Sequence, residues 1–194
     1  MPSSDAARFR QAVLAGWCVI LCALAGCGGM RVVGSVSAMG DVPRYTVSGR
    51  FAAREGERSV AGRLSWQHAP EGDVILLQDP FGRGLAELQR SAAGARLTLA
   101  DGRELVAHDG ASLVADLSGV AVPVDAIGTW LTGRNGAQAR VQRDARGRIV
   151  QLERDGWRVE YSYEAGDDLP ERIFASRAGG PDVRLSVDSW EIPQ

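Results

Sequence analysis

Not one lysine occurs in this chain; its 22 basic residues are all arginine, a bias that a GC-rich genome explains without appeal to function. Cysteine is nearly as scarce. Cys18, Cys22 and Cys27 are the only three, so nothing after residue 27 can form a disulfide, a cysteine-ligated zinc site or a thiol nucleophile. The only histidines are His68 and His108. Each stands beside a turn without metal-ligand spacing, and both read as surface residues. Ser65 precedes His68 by three residues, but no small-residue nucleophile elbow surrounds it. No glycine-rich phosphate loop joins a strand to a helix. The acids fall mostly in turns such as Asp101-Gly102 and Asp155-Gly156, where they shape the backbone. The sequence therefore offers no constellation for an enzyme, and no cofactor or metal is expected. A net charge of −2 lacks the basic footprint of a nucleic-acid binder. After residue 27 there is no apolar run of the roughly 18 residues that mark a membrane-spanning helix.

What is present begins at the N-terminus. Arg8 and Arg10 precede an apolar run, Ala12 to Ala23, followed by Leu24-Ala25-Gly26-Cys27. Basic start, greasy middle and small residues before a cut are the order of a secretory signal. The run falls short of the roughly 20 residues of a permanent span. Leu-Ala-Gly-Cys resembles the lipobox of bacterial lipoproteins. That resemblance implies that Cys27 becomes the first mature residue, carrying a diacylglyceryl thioether and an N-acyl chain. Three regions follow: a signal over 1–26, an acylated N-terminus and Gly/Ser-rich tether over 27–43, and a folded domain over 44–194. Removing 1–26 takes away Asp5, Arg8 and Arg10 and leaves 168 residues at a net charge of −3, enough for one domain with a real core. Each buried methylene contributes roughly 0.8 kcal/mol, so two or more chains hold a protein on a bilayer without spanning it.

From Tyr45 the pattern has period two. Tyr45, Val47, Gly49, Phe51 and Ala53 share one face, and Val60, Gly62, Leu64 and Trp66 alternate after the turn at 55–57. Val74 to Leu77 is apolar on both faces. Asp79-Pro80-Phe81-Gly82 is a turn by composition. Leu85–Arg90, Ala95–Ala100 and Arg103–His108 continue a meander of antiparallel strands, with Asp101-Gly102 as a two-residue hairpin. Leu113, Val114 and Leu117 then share a helical face, with Asp109 or Ser112 as its cap and Gly119 as its stop. Pro123 opens a second helix bearing Val124, Ile127, Trp130 and Leu131, with Gly133 as its stop. Trp130 is expected to pack this helix onto the sheet. Strands resume near residue 137, turn at Asp155-Gly156, and end with Val183, Leu185, Val187 and Trp190. The count is eleven strands, with the helices inserted after the sixth. An apolar sheet face must be covered, by curling or by those helices. Phe81, at the tip of a tight turn, has two readings. It is exposed, where burial in a membrane or partner contributes roughly 1.5–3 kcal/mol, or it folds back as a plug for a local core.

Val74 to Leu85 with its Asp-Pro-Phe-Gly turn, Gly119 to Pro123 through Trp130-Leu131-Thr132-Gly133, the Gly156-Trp157 strand with Tyr161 and Tyr163, and the closing Trp190 together resemble the LolB family of outer-membrane lipoproteins. The likeness covers about residues 45–191. It implies a mainly β fold: an incomplete, strongly curved antiparallel β-barrel of about eleven strands, closed by helices around a hydrophobic cavity. It implies a function as well, that of a receptor taking triacylated lipoproteins from a LolA-like periplasmic carrier and inserting them into the outer membrane. Family members carry an exposed apolar residue at the tip of the loop held here by Pro80, Phe81 and Gly82, where it is implicated in transfer. Gly28 after Cys27, in place of Asp, resembles sequences sorted to the outer membrane, so a periplasm-facing anchor in its inner leaflet is expected. Candidate cavity residues are Phe51, Leu64, Trp66, Leu76, Leu88, Leu97, Ile149, Trp157, Val159, Tyr161 and Leu185. Which alternation face points inward stays open, since a one-residue slip exchanges the sets. A monomer is expected. The competing reading is a lipid-anchored barrel that binds a small hydrophobic molecule or serves as an envelope-assembly scaffold.

Overall fold

The computed structural model describes residues 44–133 and 138–193. The signal, Cys27 and the tether lie outside them. Eleven strands form one antiparallel sheet: β1 (Tyr45–Glu55), β2 (Arg58–Ala69), β3 (Gly72–Gln78), β4 (Gly84–Ser91), β5 (Gly94–Leu99), β6 (Glu104–Ala107), β7 (Arg140–Arg143), β8 (Ile149–Arg154), β9 (Trp157–Ser162), β10 (Arg172–Arg177) and β11 (Asp182–Glu191). Their order is β6-β5-β4-β3-β2-β1-β11-β10-β9-β8-β7. Two meanders, β1–β6 and β7–β11, therefore meet where β1 pairs with β11, and β6 and β7 are left as edges. The chain must travel from one edge to the other, and it does so through α1 (Gly110–Ser118) and α2 (Val124–Thr132). The order of strands thus sends the helices across the open side of the curl.

The alternation decides which face is greasy. Tyr45, Val47 and Ala53 on β1 and Leu64 and Trp66 on β2 are buried, while Arg50, Arg54 and Arg63 point out. A bulge at Ser48/Gly49 against β11, another at Leu77/Gln78 against β4 and a third at Gln142/Arg143 against β8 interrupt the ladders. Bulges bend a strand and increase its twist, which helps the sheet curl.

Local chemistry sets the helix ends. Asp109 caps α1, accepting from the Ser112 N–H at 2.8 Å, and Gly119 closes it at φ 70°. Pro123 precedes α2, and Gly133 ends it at φ 65°. Asp155 and Gly156, at φ 51° and 79°, make the two-residue hairpin expected of them. Asp101-Gly102 does not. There the loop runs over residues 100–103, because the Asp101 carboxylate accepts the Arg103 N–H (3.0 Å) and Nε (2.7 Å) and closes a wider turn.

Candidate functional site

The concave face is a continuous apolar surface drawn from both meanders. Trp66, Leu88 and Leu97 from one side and Leu152 and Val159 from the other are almost wholly buried. Leu64, Trp157, Tyr161 and Leu185 are buried beside them, and Phe51 and Ile149 pack at their margin. Ile149 reaches this face through the bulge opposite Gln142/Arg143. Leu76 belongs elsewhere. It faces outward at 37 % exposure, because its neighbour Ile75 pairs with Trp66 and takes the inner position. In a strand apolar on both faces the sequence has no alternation to say which residue turns in.

Both helices rest on this surface. Trp130 stacks at a tilt on Trp157, centroids 5.2 Å apart, and the Tyr161 hydroxyl donates to the Trp130 carbonyl at 3.1 Å. Burial pushes the Tyr161 hydroxyl's pKa well up, keeping it a neutral donor. Glycine lets the helices come close. A Cβ on Gly128 would stand 3.2 Å from Trp66 Cζ2, and one on Gly110 would stand 2.9 Å from Arg90 Cδ and 3.2 Å from Leu88 Cδ2. Leu113, Val114, Trp130 and Leu131 of the helices are buried together with the sheet's inward residues. One cleft reaches the margin of this surface, lined by Trp157 with Arg140, Glu153 and Arg158; another is lined by Val74, Gln89 and Val106 together with Asp73 and Arg90.

A polar brace crosses the seam between sheet and helices. Asp73 on β3 accepts from Trp66 Nε1 (3.0 Å) and His68 Nδ1 (2.7 Å) through one oxygen and from Arg90 through the other. Arg90 also pairs with Asp125 on α2, whose second oxygen accepts the Ala111 N–H of α1 at 3.3 Å. Burial works against the Asp73 charge, but the donors on Trp66, His68 and Arg90 outweigh it and hold the carboxyl below its ordinary pKa. His68 is therefore no surface residue: it also stacks on Tyr45 at 4.8 Å. Among the described residues no group of acids and histidines is placed to hold a metal ion.

The turn after β3 is built to present its tip. Asp79 Oδ1 accepts the Phe81 N–H (2.8 Å) and the Arg83 N–H (3.0 Å), and the Gly82 N–H returns to the Asp79 carbonyl (2.9 Å). The Arg83 N–H foremost, and its guanidinium, keep the Asp79 pKa low. Pro80 pre-sets the corner and Gly82 takes φ 87°. Phe81 stands out from it, 87 % exposed, so it plugs no local core. No helix of the described residues is long and apolar enough to cross a membrane.

Residues 43–190 match the family described as outer membrane lipoprotein LolB. An outer-membrane lipoprotein LolB of Dechloromonas aromatica is 36 % identical over 154 residues, covering 76 % of this chain and 81 % of that one. One from Cupriavidus pinatubonensis is 31 % identical over an alignment that covers both chains entirely. Among solved structures, a DUF1329 family protein of Desulfovibrio piger is similar in fold alone, with TM-score 0.53, 6 % identity, and coverage of 81 % of this chain and 88 % of that one. A LolA-superfamily protein of Nitrosomonas europaea covers 83 % of this chain and 94 % of its own, at TM-score 0.49 and 10 % identity. The curled eleven-stranded sheet, the helices across its concave side and the match over residues 43–190 agree, and the chain belongs to the outer membrane lipoprotein LolB family.

Proposed function

We propose that this outer-membrane lipoprotein receptor accepts triacylated lipoproteins from a LolA-like carrier, shelters their acyl chains on its concave face and releases them into the outer membrane. Membership of the family makes the chain a lipoprotein-handling protein and not an enzyme. The observation that carries the finer reading is the pairing of a continuous apolar face with Phe81, held out at 87 % exposure on a hydrogen-bonded turn. Fatty chains in water cost roughly 0.8 kcal/mol per methylene, and burial against apolar side chains recovers that without directional contacts. Such a surface suits many cargoes. α1 and α2 cover the face, so the chains enter as these helices move off it, replacing the contacts of Trp130 and Leu131 with their own. The protein works as a monomer without a cofactor. Cleavage before Cys27 leaves an acylated first residue in the inner leaflet, and residues 27–43 link it to the fold.

The test is Phe81→Glu. The variant should fold and accept cargo from the carrier, yet deliver it to liposomes at least tenfold more slowly, because a carboxylate replaces the burial of an aromatic ring. Delivery at the wild-type rate would remove Phe81 from the mechanism.

A further inference from the structure

The acyl chains of a cargo can replace some of the contacts that hold the helices down, and not others. Leu113 and Val114 of α1 and Trp130 and Leu131 of α2 grip the sheet by apolar burial. Fatty chains laid on the same face bury the same surface, so this part of the grip is exchanged nearly in full. The polar contacts between sheet and cover have no counterpart in a hydrocarbon. The Tyr161 hydroxyl donates to the Trp130 carbonyl at 3.1 Å, Arg58 Nη1 to the Gly119 carbonyl at 3.4 Å, and the Ala121 N–H to Glu55 at 3.1 Å. Arg90 on β4 pairs with Asp125 on α2. Of these four, only the last joins two full charges, so it weighs most in the difference between the covered and the loaded state.

The same pair is where both helices meet the sheet. Asp125 stands in the first turn of α2, where a negative charge suits the helix N-terminus. Its other oxygen accepts the Ala111 N–H from the first turn of α1 at 3.3 Å. One carboxylate thus ties α1 to α2 and both to Arg90. The two arms of Arg90 are unequal. On the sheet side it pairs with Asp73 and lies over Trp66, 5.5 Å from the ring centroid, and both charged side chains there are mostly buried. On the cover side Asp125 is 47 % exposed. Arg90 Nε, buried without a hydrogen-bond partner among the described residues, adds no third tie. Parting Arg90 from Asp73 would leave two lone charges in an apolar setting. Parting it from Asp125 leaves a neutral Arg90–Asp73 pair on the sheet and hands the Asp125 carboxylate to water, which solvates it well.

We propose that the Arg90–Asp125 contact is the catch of the cover: it parts when cargo loads, Arg90 stays on the sheet with Asp73, and Asp125 draws α1 and α2 away as one unit. This rests on the reading of the concave face given above. Asp125 is a positioning residue and touches no cargo. The strength of one half-exposed ion pair then sets how much of the receptor stands open at rest, and so how far cargo partitions to it from the carrier. Salt, which screens such a pair, should favour loading.

The experiment uses the mature, acylated protein in phosphatidylcholine vesicles and has two readouts. Hydrogen exchange of the unloaded protein reads the catch. In Asp125→Ala the interior amides of both helices should exchange about threefold faster or more, while those of β3, β4 and β5 keep their wild-type rates. Raising sodium chloride from about 50 to about 500 mM should speed both helices in wild type and neither in the variant. Uptake of a triacylated lipoprotein from the carrier reads the consequence. At low salt the variant's equilibrium share should exceed that of wild type about threefold or more, and high salt should narrow the gap. Asp125→Asn keeps an acceptor for the Ala111 N–H and removes the charge; it should match Asp125→Ala in its indifference to salt, and it serves where Asp125→Ala does not fold. Acceleration confined to α2, helix exchange in wild type that ignores salt, or unchanged uptake by a loosened cover would overturn the proposal. If wild type itself takes up no cargo, the reading of the concave face falls, and this proposal with it.

Discussion

His68, Asp73 and Arg90 occupy inward positions of β2, β3 and β4, in step with Trp66, Ile75 and Leu88. The same alternation that marks the greasy face thus puts a charged set on it, and Asp73 is a strand residue of that face although most acids of the chain stand in turns. Their partnership is tertiary and has no local pattern. With the Arg90 and Asp73 side chains only 15 % and 10 % exposed, Asp73→Ala removes the acceptor of the Trp66 N–H and leaves the Arg90 guanidinium with Asp125 as its one remaining carboxylate. Breaking such a buried pair costs about 3–5 kcal/mol, and the urea midpoint should fall with the slope unchanged. The sign of the acid response also follows. A depressed native pKa gives stabilisation that is complete above the unfolded carboxyl value of about 4 and is lost as pH falls through the native one. Asp79, Asp101, Asp109 and Asp144 are shifted the same way. The wild-type midpoint should stay level from about pH 7 to 5 and drop below about pH 4, and Asp73→Asn should show a shallower drop. An identical slope in the variant would exclude Asp73 as a contributor.

Elements were legible where period and punctuation agreed. The eleven strands, the α1 cap at Asp109 and the stops at Gly119 and Gly133 all follow from local rules. Leu76 was not legible, because Val74 to Leu77 is apolar on both faces and only pairing with β2 decides its side. The close seating of the helices was not legible either, since nothing in a helical pattern marks Gly110 and Gly128 as contact points. That seating makes two predictions. Leu131→Ala opens a hole under α2 and should cost about 2–5 kcal/mol in unfolding free energy. Gly128→Val places its Cβ 3.2 Å from Trp66 Cζ2, tighter than most real Cβ contacts, and adds two methyl groups there, so α2 should lift and the Trp66 fluorescence should shift to the red. An unshifted spectrum at native stability would show that the helix has room to spare.

At the scale of the molecule, one topological fact organises the rest. β6 and β7 are the two edges of an open, curled sheet, and the chain between them has to cross the concave side. The segment that closes the apolar face is therefore two short helices on linkers, held by the Asp73–Arg90–Asp125 brace and by Trp130, and not part of the sheet. Sheet and cover can part without breaking the strand ladders. Whether acyl chains then take the cover's place is tested most directly by a photocross-linking pair. Phe51 lies on the inner face, opposite Gly62 and Leu185, and Phe174 lies on the outer face beneath Arg184. Each is replaced in turn by benzoylphenylalanine, and the protein is loaded with a lipoprotein whose acyl chains carry a radiolabel. The account predicts label transferred to the probe at position 51 and none at position 174. Label at 174 alone, or at neither position while cargo is bound, would contradict it.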